Sequence, residues 1–101
     1  MTLSVATWNI NSVRLRIRIV TDFLKKHQPD VLCLQEIKCT NDQFPYKAFR
    51  KRGYTHIAVN GQRGYHGVAI VSRLPFLSEG RQGFCGKDDA RHICVTVDDG
   101  A

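Results

Sequence analysis

No apolar run in these 101 residues approaches the roughly 18 needed to cross a bilayer as a helix. Met1 leads straight into strand-like residues, with no basic segment followed by an apolar one, so no secretory signal is legible. The expected setting is soluble, intracellular and cytoplasmic, with no membrane partner. Neither a C-x-x-C spacing nor a Cys/His cluster occurs, which argues against a zinc site. Cys33, Cys39, Cys85 and Cys94 therefore read as packing thiols of a reducing compartment. Acidic residues are scarce: 9 Asp+Glu stand against 15 Lys+Arg, for a net charge of +6. Such a balance suits a polyanion whose counterions basic side chains release, and it equally fits a plain basic surface. Repeats, low-complexity tracts and linkers are missing too. With 43% apolar residues the chain has enough to fold, but its length limits it to one domain with a modest core.

What is present alternates between strand and helix. Residues 3–8 read as a buried strand, followed by the polar Asn9-Ile10-Asn11-Ser12. Val13, Ile17, Val20 and Leu24 then recur at helical spacing, with Phe23 widening the stripe and Arg14, Arg18, Asp22 and Lys25 opposite. Asn11 or Ser12 can cap the start of this helix. Pro29 ends it, because the residue before proline is pushed out of the α region. Residues 31–35 form a short apolar run, a strand buried on both faces. Strand, helix and strand in about 35 residues make a βαβ unit with parallel strands and a right-handed crossover.

Further on, residues 45–51 form a short helix with a basic face, and 54–59 an alternating strand. Gly61, Gly64 and Gly67 mark a turn into a returning strand at 68–72, closed by Pro75. Residues 76–84 are ambiguous, and 92–97 alternate cleanly. The final Asp98-Asp99-Gly100-Ala101 reads either as a hairpin turn whose partner strand is missing, hence a truncated domain, or as a polar C-terminus.

The βαβ unit brings chemistry with it. Asn9 ends one strand and Glu36 the next, so parallel neighbours deliver both to one carboxyl edge, where open α/β sheets bind ligands. A carboxylate beside an amide oxygen suits Mg²⁺, which takes oxygen ligands and keeps several waters. Singly, Glu36 also fits a solvated strand-end carboxylate and Asn9 a turn residue. Lys47, Arg50, Lys51 and Arg52 read as a solvated helix face, or as a patch that tracks phosphates. His27 and His56 show no partner in sequence, His66 reads as a loop histidine that could also approach DNA, and Trp8 reads as core.

Three strings carry a resemblance. Thr7-Trp8-Asn9-Ile10-Asn11-Ser12-Val13-Arg14 and Pro29-Asp30-Val31-Leu32-Cys33-Leu34-Gln35-Glu36-Ile37-Lys38 resemble the opening motifs of the endonuclease/exonuclease/phosphatase superfamily. Gly61-Gln62-Arg63-Gly64-Tyr65-His66-Gly67-Val68-Ala69 is similar to the glycine-rich hairpin of its exonuclease III / apurinic endonuclease branch. The resemblance covers essentially the whole chain.

The resemblance implies an α/β fold: the N-terminal half of a four-layer, DNase I-like sandwich, with a mixed sheet and flanking helices. It implies Mg²⁺-dependent phosphodiester hydrolysis in double-stranded DNA at abasic sites or 3′-blocked ends, as in base-excision repair, with Mn²⁺ the alternative metal. Asn9 and Glu36 would contribute to the metal site, Asn11 matches a position that is Asp or Asn among relatives, and Lys38 would organise the metal-site carboxylates. Arg14, Gly64, Tyr65 and Arg91 match DNA-contacting positions; for Arg14, Lys38 and Arg91 the alternative is a surface cation.

The later family motifs, a catalytic Tyr, a G-D-x-N segment and a closing S-D-H, are not matched, and neither G-D-x-N nor S-D-H occurs in the chain. The chain by itself is therefore expected to be inactive. The rival reading is a non-catalytic DNA-binding or complementing fragment. Half a sandwich would also expose its inner sheet face, to be covered by the missing C-terminal half or by a second chain.

Overall fold

A computed structural model of the chain describes residues 4–61, 66–80 and 94–97. In chain order these form β1 (Val5–Asn9), α1 (Ile17–His27), β2 (Val31–Gln35), a 3-10 turn (Asn41–Gln43), α2 (Tyr46–Arg50), β3 (His56–Asn60), β4 (Val68–Ser72), β5 (Phe76–Gly80) and β6 (Cys94–Val97). Four strands make one mixed sheet in the order β1-β2-β4-β3, and β5 pairs with β6 in a separate antiparallel ribbon. β1 and β2 are parallel and in register from Val5↔Val31 to Asn9↔Gln35. β4 then runs antiparallel to both β2 and β3. Among the described residues no helix is long and apolar enough to cross a membrane.

Strand pleating sorts the side chains into two faces. Trp8 on β1, Leu32 and Leu34 on β2, Ala69 and Val71 on β4 and Val59 on β3 share one face, and α1 and α2 pack on it. From α1 come Val20 and Leu24, fully buried, with Ile17 and Phe23 half-buried; Arg14, Arg18, Asp22 and Lys25 stay exposed. Phe23 meets Trp8 edge-on at 5.4 Å between ring centroids. From α2 comes Phe49, stacked on Phe44 at 5.2 Å. Tyr54, also buried, donates its hydroxyl to the carbonyl of Pro29 and so ties the end of α2 to the turn after α1.

Two sequence expectations change. β1 is an edge strand with alternating exposure: Val5 is 54% exposed and Thr7 and Asn9 face solvent. Its pairing with β2 alone leaves it uncovered on one side. The helix begins at Ile17, later than the Val13 stripe suggests, and Arg16 at its N-cap makes no side-chain cap bond. Asn11 and Ser12 both take positive φ, 48° and 83°, because their turn is bonded across to the β2 end. At the other terminus Gln28 is left-handed and its N–H caps the Leu24 carbonyl, so the helix stops before Pro29.

The second sheet face is not uniformly bare. Along β1 and β2, Val5, Thr7 and Asn9 are exposed and Cys33 and Gln35 half-buried, whereas Ala58, Ile70 and Ser72 on β3 and β4 are buried. The His56 ring on this side lies 6.2 Å from that of Phe76, at the start of β5.

The sheet edge where β1 and β2 begin is clamped by Asp30. Its carboxylate accepts from the Ser4 N–H at 2.9 Å, the Ser4 hydroxyl at 3.2 Å and the Arg73 guanidinium at 2.6 Å. The Ser4 backbone bond first and the Arg73 bond next hold the Asp30 carboxyl below its ordinary range.

Candidate functional site

The opposite edge, where β1 and β2 end, gathers the polar residues. Because Asn9 pairs with Gln35, Glu36 stands just past Asn9 on the neighbouring strand. The Asn9 side-chain amide donates to Glu36 Oε2, which leaves the Asn9 amide oxygen and Glu36 Oε1 as acceptors. Lys38 Nζ donates to Asn11 Oδ1 at 2.5 Å, and Arg14 donates to the Lys38 carbonyl at 3.3 Å. All five of Asn9, Asn11, Arg14, Glu36 and Lys38 therefore lie on one rim.

Backbone hydrogen bonds carry the sheet pattern past the strand ends and lock this rim. Ser12 and Val13 donate to the carbonyls of Glu36 and Ile37 at 2.9 and 3.1 Å. Ile37 and Lys38 donate to Gly67 and His66 at 3.1 and 2.9 Å. Ile10, Val13 and Ile37 are completely buried beneath it, so apolar anchors hold the two polar loops down.

Positive φ concentrates here. Among the described residues six non-glycine positions have it, and five of them, Asn11, Ser12, Glu36, Lys38 and His66, are on the rim. Each costs on the order of 1–3 kcal/mol and persists only where its surroundings over-determine it. At Glu36 and Lys38 the conformation turns both side chains out of the alternating strand pattern while the intervening Ile37 stays buried. Strained polar residues held by buried neighbours are characteristic of sites that must be preorganised.

As a donor set, one carboxylate with amide oxygens fits a small hard cation. Mg²⁺ is commonly held by one or two carboxylates, with waters and substrate phosphate filling the octahedron. Glu36 and Asn9 could be direct ligands; Asn11, already taken up by Lys38, is placed to align Lys38. Among the described residues no group of three or more His, Cys, Asp or Glu converges.

Gly64, Tyr65 and Arg91 lie outside the described residues. Sequence reasoning missed the role of His66, whose carbonyl joins the rim through Lys38. Its position just before Gly67, in a glycine-punctuated turn, was the available signal. The Lys38–Asn11 pair was missed as well, since 27 residues separate the partners.

Comparison with known proteins identifies the family. The family model described as Endonuclease/Exonuclease/phosphatase family matches residues 6–101. Exodeoxyribonuclease III of Haemophilus influenzae is 40% identical over 67 residues, which cover 66% of this chain and 25% of that protein. An AP endonuclease structure from Archaeoglobus fulgidus superposes with a TM-score of 0.88 at 38% identity, covering 95% of this chain and 37% of that one. The 3′ phosphatase NExo from Neisseria, bound to a product DNA hairpin, gives a TM-score of 0.85 at 37% identity, covering 95% and 38%. The chain thus spans about a quarter of the length of that curated relative and under two-fifths of each solved chain. With matched strings, matched fold and a match over nearly its full length, the chain belongs to the endonuclease/exonuclease/phosphatase family.

Proposed function

We propose that this chain supplies the metal-holding and phosphate-facing rim of a Mg²⁺-dependent DNA-repair nuclease of the exodeoxyribonuclease III / AP endonuclease type. The observation that carries the reading is the Asn9–Glu36 contact across two parallel strand ends. In this reading the complete domain is a four-layer sandwich, and the substrate is duplex DNA with an abasic site or a blocked 3′ end. A DNA substrate also implies an intracellular, cytoplasmic setting.

Each rim residue has a physical task. The Asn9 amide fixes the rotamer of Glu36, so that the carboxylate presents Oε1 outward. Lys38 brings positive charge beside that carboxylate, and Asn11 restrains its long side chain. Arg14 sits where a phosphate approaching the rim from the α1 side arrives, and its planar fork suits a phosphate better than a point charge would. Mg²⁺ (or Mn²⁺) bound by Glu36 and Asn9 would polarise a phosphodiester oxygen and lower the pKa of an attacking water. Tyr65, Gly64 and Arg91 complete the proposed DNA contacts.

One observation favours a second reading for the isolated chain. The sequence contains neither G-D-x-N nor S-D-H, and among the described residues no group of three or more His, Cys, Asp or Glu converges at the rim. Alone, then, the chain is a DNA-binding or complementing fragment.

The test separates the two. The 101-residue chain is incubated with an abasic-site duplex, alone and with a complementing C-terminal fragment of the same family, with Mg²⁺ or EDTA, and incision and retention are scored separately. Expected are salt-sensitive retention without incision for the chain alone and EDTA-sensitive incision for the complemented pair. A chain that neither retains DNA nor restores incision sinks the proposal.

A further inference from the structure

The edge of the sheet away from the rim carries a second concentration of positive charge, at the seam where α1 and α2 both end. A cleft of about 450 Å³ opens there, floored by Leu24 and Tyr54 and walled by Lys25, Lys51, Arg52 and Arg73. A neighbouring depression of about 440 Å³, reached past Thr21 and Ala48, shares Lys51 and Arg52 with it. Among the described residues no carboxylate lines either one. Arg73 is neutralised by Asp30, and this is the one ion pair among the described residues. Lys25, Lys51 and Arg52 face the openings with no such partner among the described residues.

Helix C-termini attract cations, so this charge first has to be weighed against that ordinary role. Each helix end carries roughly half a negative charge, and less for a helix as short as α2. Two ends therefore offset roughly one of the three unpaired cations and leave a surplus near two. Nor are the side chains needed as caps. The N–H of Gln28 takes the Leu24 carbonyl, that of Lys51 the Lys47 carbonyl, and those of Arg52 and Tyr54 the Phe49 carbonyl.

The same bonds define what the cleft can recognise. With the N–H groups of residues 28 and 51–54 used internally, no backbone nest remains for a compact anion. Tyr54 is buried and its hydroxyl is engaged by Pro29, so no ring is available for a base to stack on. What is left is a set of exposed basic side chains around an open trough, suited to an extended polyanion read through its phosphates alone. α1 connects the two ends of the molecule. Its N-terminus lies at the rim, its 11 residues rise about 16 Å, and its C-terminus reaches the cleft. Exposed Arg14 just before it and Arg18 and Lys25 on it mark the way, with exposed Asp22 the one acidic residue of the helix.

We propose that this cleft is a second, sequence-independent contact for the phosphodiester backbone of nucleic acid, engaged by strand that leaves the rim along α1. The inference rests on the nuclease reading only for the identity of the polyanion.

The test uses the full chain and a 30-base-pair duplex without a lesion, with affinity measured by anisotropy across a salt series. Lys25→Ala/Lys51→Ala/Arg52→Ala lowers the slope of log affinity against log salt by about 2–3, at about 0.9 per lost phosphate contact. Arg14→Ala, at the rim, lowers it by about 1. A triple variant with the wild-type slope overturns the cleft, as does a wild-type chain that does not retain DNA; the nuclease reading falls only if that chain also fails to restore incision with the complementing fragment. Acylation of the unsubstituted protein gives a readout independent of any variant: DNA should slow modification of Lys25 and Lys51 at least fivefold relative to Lys26 on the same helix. Equal protection of all three lysines, or protection by inorganic triphosphate but not by duplex, also overturns the proposal.

Discussion

Adding one methyl group at Gly61 tests how the rim is supported from behind. Gly61 follows β3, and its N–H donates to Asn41 Oδ1 at 2.6 Å. A Cβ built there would lie 2.5 Å from the Cys39 carbonyl oxygen, 2.8 Å from the Asn41 nitrogen and 2.8 Å from Asn41 Oδ1. Two of those three atoms are backbone and cannot rotate away. Cys39 is completely buried and follows Lys38 directly, so relief requires the chain from 38 to 41 to move. Overpacking of this kind costs about 1–3 kcal/mol. For a domain of this size that is a fall in Tm of very roughly 5–20 °C.

Asn41→Ala separates the hydrogen bond from the clash: it loses only the bond to Gly61, about 1 kcal/mol. Because that bond is already broken by the displaced backbone in Gly61→Ala, the double variant should be scarcely less stable than Gly61→Ala alone. Thermal and urea unfolding of the wild type, both single variants and the double variant would establish the cycle. A Gly61→Ala protein within about 0.5 kcal/mol of wild type would refute the steric reasoning. So would strict additivity in the double variant, since it would mean that the backbone does not yield.

Three more outcomes follow from the contacts described. Phe49→Ala removes a fully buried ring stacked on Phe44 and should cost about 3–5 kcal/mol in urea unfolding; a loss below about 1 kcal/mol would mean that the core under α2 refills. Asp30 has a lowered pKa, so its clamp stabilises the fold above the ordinary carboxylate range and is lost as pH falls through the lowered folded value. The stability gap between wild type and Asp30→Asn should therefore be full at pH 7 and narrow below about pH 4, and a gap that widens with acid would reverse the assigned sign. Glu36→Gln should weaken Mn²⁺ binding, followed by its electron paramagnetic resonance signal, about tenfold or more while thermal unfolding changes little; unchanged metal affinity would remove Glu36 from the proposed site.

Much of the local architecture could be read from neighbouring residues. The bounds of β2 and β4 coincide with short apolar runs between breakers, and α1 ends where Pro29 requires. The parallel pairing of β1 and β2 follows from the helix-length connection between them. Asn9 and Glu36 could be placed on a common edge for the same reason, and the strings around them pointed to the family that the comparisons show. These features are legible because they depend on spacing of two to four residues, or on a single crossover.

Other features needed the folded chain. The insertion of β4 between β2 and β3 is not written in any local pattern, because hairpin partners β3 and β4 could have met β2 from either side. β1 pairs with β2 alone and so lies at the edge, and the strand expected to be buried has Val5 and Thr7 in solvent. Ser12, expected as a helix cap, does accept the Leu15 N–H on its hydroxyl at 3.4 Å, but its own N–H is drawn to the Glu36 carbonyl across the rim, and the helix proper starts a turn later. Lys38 meets Asn11, and Asp30 meets Ser4 and Arg73, over separations of 26 to 43 residues. The basic seam likewise exists only because two helices end side by side. Sequence by itself determined which segments fold into strands and helices and which chemistry the rim can carry, because propensity and periodicity act between near neighbours. Tertiary structure decided which of those residues touch, since contacts between distant segments depend on how the whole chain closes on its core.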